Sequence, residues 1–423
     1  MTNPTTQIAL KNTTSSSTVY AYVTGLDINR NYTYAFLRSD GKTLYYPESP
    51  SQPLQPLGAD CAIPLGAPGS TTTVTIPQLA GGRIWFIVGD KLTFFLNPGP
   101  GIVEPSVTNQ DDVNYKLNWG FCEFTCYVDF VSLPIALELR NTAGKTQVVQ
   151  GLPKDGLDQI CAKLTQQGAS ENAAWGKLIV KGADGKNLRA LSPNSGRIAN
   201  SHLFDGYYQS YVDQAWAKYA NEDLKVDTQA QWGVVTGRVN ANGLLSFPNV
   251  GTFAKPSAID IFSCSTGPFG SYPVATRDQM GAIGARLAAA LNRTTLVSNA
   301  NQPDAISSNG TNNYYKASPT NHYARIVHSV NLDGRGYAFP YDDVVPSGAT
   351  GPDQAGTVFD GSPELLTVTV GGPASGSARE GGTGKDVVGG GEEKKKKKTK
   401  TFMGELEGFF KRMMSMIKGV FHK

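Results

Sequence analysis

Histidine is scarce in this chain. The 423 residues hold four, in no HExxH or HxH pattern, which excludes the common zinc-hydrolase spacings. The five cysteines (Cys61, Cys122, Cys126, Cys161 and Cys264) include no CxxC pair and no zinc spacing, and an odd number cannot complete a disulfide framework. One or two bridges stay compatible with it. There is no GxSxG elbow. The segment "NTAGKT" (141–146) ends like a phosphate loop, but Leu139 stands where the upstream glycine is needed. No stretch is long and apolar enough to span a bilayer. The start, "MTNPTTQIALKNTTSSS", has neither a basic opening nor an apolar stretch of signal-peptide length, so classical secretion is not indicated. Four N-x-S/T triplets, at Asn12, Asn31, Asn292 and Asn309, weigh weakly the other way. No metal and no cofactor is expected.

Charge is sparse too, at 17% of residues, and it is unevenly placed. Residues 371–423 hold 12 Lys/Arg against 6 Asp/Glu, leaving 26 against 29 for the body. The body is therefore slightly acidic and no nucleic-acid binder by charge. Aromatics reach 10%, with 47 Gly and 25 Pro, which favours a loop-rich β protein over a helical bundle.

Residues 1–150 read as strands: "STVYAYVTGL", "TTTVTIPQL", "RIWFIVGDKLTFFL" and "YVDFVSLPIALEL" are β-branched and aromatic runs between turn clusters. Such spacing predicts a sandwich or barrel. From 151 to 321 the texture is mixed α/β. Helical spacing appears in "PKDGLDQICAKLTQQG", "HLFDGYYQSYVDQAWAKYA" and "TRDQMGAIGARLAAALNR", with strand-like "QWGVVTGRV" and "AIDIFSC" among them. Residues 322–372 return to strand character in "HYARIVHSV", "GYAFPYDD" and "ELLTVTVGG", which places His322 and His328 on a strand as packed or surface residues. The reading is a discontinuous β domain with the α/β part inserted, and a groove between the two is a favoured ligand site.

Residues 373–400 have linker composition and carry the run Lys394–Lys398. Residues 401–423 put Phe402, Leu406, Phe409, Phe410, Met413 and Ile417 on one helical face. A polybasic run with an apolar face fits an anionic membrane surface through Lys394–Lys423. The competing reading is a helix docked on its own protein.

With the other motifs gone, the chemistry falls to carboxylates. "FCEFTCYVDF" (121–130) sets Glu123 and Asp129 six residues apart. On one extended strand they would lie roughly 20 Å apart, too far to share a bond; a hairpin would bring them together.

"NWGFCEFT", "YVDFVSLPIAL", "HLFDGYYQSYVDQAWAKY", "AIDIFSCSTGPF", "LNRTTL" and "GRGYAFPYDDV", in this order, resemble glycoside hydrolase family 64 over most of residues 1–372. "YAFPYDD" also resembles the closing strand of plant thaumatin-like proteins. The resemblance implies a thaumatin-like β domain and inverting endo-hydrolysis of β-1,3-glucan in a wide groove. It gives Glu123 as general acid and Asp129 as general base, acidic groove residues at Asp112, Asp342 and Asp343, and Thr125 touching sugar. Trp119, Tyr337 and Phe339 are candidate stacking rings, each with a core reading beside it. Inverting chemistry needs its two carboxyls about 6.5–9.5 Å apart with room for water. The segment between acid and base is shorter here than in the family, so a non-catalytic β-glucan-binding protein is the alternative, and a tail-driven membrane-surface protein a third.

Overall fold

Alternation of β-branched or aromatic residues with polar ones sets the first third of the molecule. A computed structural model describes residues 5–122, 127–304, 313–347 and 354–373. The strands that frame the site are, in chain order, β1 (Thr5–Asn12), β2 (Val19–Asp27), β3 (Thr33–Leu37), β4 (Thr71–Pro77), β5 (Leu79–Val88), β6 (Asn118–Cys122), β7 (Phe130–Val131), β8 (Ile135–Asn141), β9 (Asn187–Leu191) and β10 (Pro363–Val370). Three helices bear on it: α1 (Gly156–Glu171), α2 (Arg277–Arg293) and α3 (His322–Val330).

One sheet runs Thr146–Val149, β8, β10, β1, β4. Within it β10 lies parallel to β1, with Gln7 opposite Leu365, and antiparallel to β8, with Leu137 opposite Val368. A strand from residue 363 onward thus closes the sheet that residue 5 begins. A second, antiparallel sheet runs β6, β5, β2, β3, Leu44–Tyr45. Ile8, Leu10, Val74 and Val368 of the first sheet pack against Val19, Ala21, Ile84 and Phe86 of the second. Each such side chain contributes roughly 1.5–3 kcal/mol when fully buried. Because a one-residue slip would turn the whole set out of this layer, the layer fixes the register.

The period of two then decides the other face of the second sheet. Tyr22, Phe36, Trp85, Ile87, Trp119 and Phe121 point away from the sandwich into a larger core. That core also holds Ile160 and Leu164 of α1, Ile283 and Leu287 of α2, and Val327 of α3. Both faces of the second sheet are therefore covered, and apolar packing runs without a break from the sheets into the α/β part.

Three local expectations are corrected. "HYARIVHSV" is the helix α3, not a strand: Tyr323, Ile326, Val327 and Val330 are buried at helical spacing, and the Asn321 side chain accepts from Ala324 N at 3.1 Å as an N-cap. "AIDIFSC" is also helical over Ala258–Ser263, opened by a capping box between Ser257 and Asp260. "GYAFPYDD" forms a bend and turn in which Tyr341 takes a left-handed φ of 71°. Among the described residues Cys61, Cys161 and Cys264 are buried free thiols, and Cys122 is buried as well. Nearly all of the linker and the whole of the apolar helix expected over 373–423, with Lys394–Lys398, lie outside the described residues.

Candidate active site

Asp129 enters the structure at a change of sheet. Cys122 ends β6 opposite Ile84 of β5, whereas Phe130 of β7 pairs with Leu191 of β9 in a different sheet. β6 and β7, on either side of Glu123 and Asp129, therefore belong to different sheets. Glu123 and Thr125 lie outside the described residues.

The backbone around Asp129 is held on every side. Its carbonyl accepts from Ser192 N at 2.9 Å. Two residues earlier, Tyr127 N donates to Tyr337 O at 2.7 Å and Tyr127 O accepts from the Tyr323 hydroxyl at 2.6 Å. The Asp129 residue is half-buried, and burial pushes its carboxyl above the ordinary carboxylate range. Arg83 opposes that shift and Glu104 adds to it. Arg83 and Glu104 are themselves paired at 2.6 Å, and the Tyr34 hydroxyl donates to Glu104 at 3.2 Å. The guanidinium of Arg83 stands 5.3 Å from the Phe121 ring centre, and that ring lies against Phe130, next to Asp129. A small cleft lined by Gly120, Phe121, Tyr127, Phe130 and Ser132 opens here; at about 10 Å³ it has room for a water and not a sugar.

Among the other expected residues, Tyr337 and Asp343 are brought to the Asp129 segment by the Tyr127–Tyr337 bond. The Tyr337 hydroxyl donates to Asp343 Oδ1 at 2.9 Å and accepts from Tyr341 N at 3.1 Å. Asp343 is half-buried, and burial raises its carboxyl while the Tyr337 hydroxyl pulls it back. Its neighbour behaves oppositely. Asp342 is 0% exposed; burial alone would raise it, but His328 and Arg293 outweigh burial and hold it below the usual range. Asp342 as a sugar contact is therefore corrected: it is an internal counter-ion.

The stacking rings are corrected in the same way. Trp119 is 1% exposed, donates from Nε1 to Asn114 O at 3.1 Å, and packs edge-on to Phe130 at 5.0 Å. Phe339 is buried beneath Arg293 at 5.5 Å, and Tyr337 is 5% exposed with its hydroxyl engaged. These rings support the site from behind. Asp112 is half-buried in a separate loop, where its oxygens accept from Ser106 N and Asn114 N at 3.3 and 2.7 Å. Arg189 links that loop to the site, donating to Leu117 O at 2.7 Å below Phe130. Burial lowers its guanidinium to about 10.

Sequence reasoning missed Arg83, Glu104, Arg293 and the pairing of His328 with Asp342. The one available signal was Arg83 itself: on an alternating strand it shares the aromatic face of Trp85, where an arginine needs a partner. Among the described residues no cluster of His, Cys, Asp and Glu could hold a metal ion.

The model of the β-1,3-glucanase family, glycoside hydrolase 64, matches residues 4–370. Two glucan endo-1,3-β-glucosidases, from Cellulosimicrobium cellulans and Arthrobacter sp. (strain YCWD3), are each 29% identical over 330 and 326 residues. Those matches cover 74% and 73% of this chain, and the chain spans only 56% and 55% of the relatives' length. A crystal structure of a laminaripentaose-producing β-1,3-glucanase in complex with laminaritetraose superposes with a TM-score of 0.73 at 30% identity, covering 87% of this chain and 98% of that one.

Proposed function

The chain belongs to the β-1,3-glucanase family, glycoside hydrolase family 64, and from that premise we propose that it hydrolyses β-1,3-glucan internally by an inverting mechanism. Glu123 protonates the leaving glycosidic oxygen. Asp129 takes a proton from the water that attacks the anomeric carbon on the opposite face. Asp343 and Thr125 orient the sugar, on a thaumatin-like β scaffold interrupted by the 151–321 segment.

The observation that carries this reading is the setting of Asp129. It is a half-buried carboxyl raised toward the working range of a general base, beside a cation that keeps its ionised form accessible. A base must be deprotonated to act, yet it is most effective when its pKa approaches the ambient pH. Burial and Glu104 raise the Asp129 carboxyl, and Arg83 opposes them. Cys122 and Phe130 belong to different sheets, which supports a change of course between the two carboxylates in place of the approximately 20 Å of a single extended strand.

The test is product release from soluble β-1,3-glucan by the parental chain, Glu123→Gln and Asp129→Asn. The parental chain is expected to release oligosaccharides; each variant is expected to lose turnover by 10²-fold or more, about the scale of general acid–base catalysis, while still binding insoluble β-1,3-glucan. Retention of the glucan by the parental chain without any product would favour the non-catalytic binding protein.

A further inference from the structure

Behind the loop that carries Tyr337 and Asp343 lies a buried trio of Arg293, His328 and Asp342. Arg293 of α2 donates from Nη2 to Asp342 Oδ1 at 3.1 Å and to the Asp342 carbonyl at 2.6 Å, and from Nη1 to the Val344 carbonyl. His328 of α3 places Nε2 3.0 Å from Asp342 Oδ2 and Nδ1 3.2 Å from the Gly334 carbonyl. The same Asp342 oxygen accepts from Ala338 N at 3.0 Å. Two helices thus grip one carboxylate and, with it, the backbone at positions 334, 338, 342 and 344.

Buried ion pairs are weak stabilisers compared with apolar residues of the same volume. What apolar residues could not do here is dictate the course of four backbone groups in an irregular loop. That loop matters because its Tyr337 carbonyl takes the Tyr127 amide, and Tyr323, on the same helix as His328, takes the Tyr127 carbonyl. Both backbone polar groups of Tyr127 are set by α3 and the loop, two residues before Asp129.

We propose that Arg293 and His328 are positioning residues: by clamping Asp342 they lock the 334–344 loop, which fixes Tyr127 and so aims the Asp129 carboxyl. Neither touches the glucan. The inference rests on Asp129 being the general base, and it divides the adjacent aspartates by task, with Asp342 the internal anchor and Asp343 facing the site.

The experiment uses the full chain with His328→Gln and Arg293→Lys. A single glutamine amide carries no charge and cannot serve Asp342 and Gly334 together; lysine keeps the charge of Arg293 but lacks the fork that reaches Asp342 and Val344 at once. Amide hydrogen exchange is read at Tyr127 and in β1, and kcat and KM are measured separately on soluble β-1,3-glucan, per folded molecule. The expected result is a severalfold loss of protection at Tyr127 with β1 unchanged, and a kcat lowered by roughly 10²-fold, the scale of a small misplacement of a reacting group, at unchanged KM. Unchanged protection at Tyr127, or equal loss everywhere, overturns the lock, as does a parental kcat in both folded variants. If neither charge variant folds, Tyr337→Phe loosens the loop with the trio intact; the same exchange and kcat losses are then expected, and their absence overturns the proposal. A parental chain that releases no product counts against the proposed function, and the exchange measurement then decides the lock by itself.

Discussion

Arg83 and Glu104 act on Asp129 with opposite signs, so their removal should move the acid limb of the pH–rate profile in opposite directions. Arg83 lowers the Asp129 pKa; in Arg83→Gln that pKa rises and activity is lost at higher pH as the medium is acidified. Glu104 raises it, so Glu104→Gln should carry the same limb to lower pH. A profile of kcat/KM for the three proteins checks both signs at once. The same shift has a consequence for stability. A carboxyl whose folded pKa is raised is destabilising wherever it must be ionised, above that raised value, and the penalty disappears below the unfolded pKa. Asp129→Asn should therefore unfold at a higher temperature than the parental chain near neutral pH and show no such gain in strong acid. Asp342 has the opposite linkage. Its folded pKa is depressed, so its stabilising contribution is present above the unfolded carboxylate value and is lost only as pH falls through the lower folded one. Asp342→Asn leaves the buried Arg293 guanidinium uncompensated in the interior, and should cost about 3–5 kcal/mol in denaturant unfolding at neutral pH.

At the scale of the element, the strands of the first 150 residues were legible because "STVYAYVTGL" and "RIWFIVGD" are β-branched and aromatic runs, as suits strands covered on both faces. The return of "ELLTVTV" to the first sheet was legible for the same reason. "HYARIVHSV" was not: its β-branched content argues for a strand, while its apolar positions fit a helix equally well, and α3 is decided by packing on α1 and by the Asn321 cap. "AIDIFSC" carried a readable signal, Ser257 three residues before Asp260, that its β-branched centre obscured. Ser257→Ala should then lower stability by about 0.5–2 kcal/mol, measured by urea unfolding. The candidate carboxylates were legible as residue types, and the Tyr127–Tyr337 bond ties the segment that carries Asp129 to the loop that carries Asp343. Which of the adjacent Asp342 and Asp343 faces inward was not legible, because it depends on Arg293 and His328 of α2 and α3, 49 and 14 residues upstream of Asp342.

At the scale of the molecule, the site is a junction. The second sheet supplies Arg83, the short pair of β7 and β9 supplies Asp129, and the 334–344 loop supplies Asp343, all fastened to one continuous core. Such a junction suits a reaction that needs a base and an acid on opposite faces of a sugar, because different elements can approach from different sides. The most direct test follows soluble β-1,3-glucan hydrolysis by proton magnetic resonance and reads the anomeric configuration of the new reducing end in the first minutes, before mutarotation. Inversion across Glu123 and Asp129 requires the α-anomer to appear first from the β-linked substrate, and Asp129→Asn to yield neither anomer. Initial release of the β-anomer, or parental turnover in Asp129→Asn, would contradict the account.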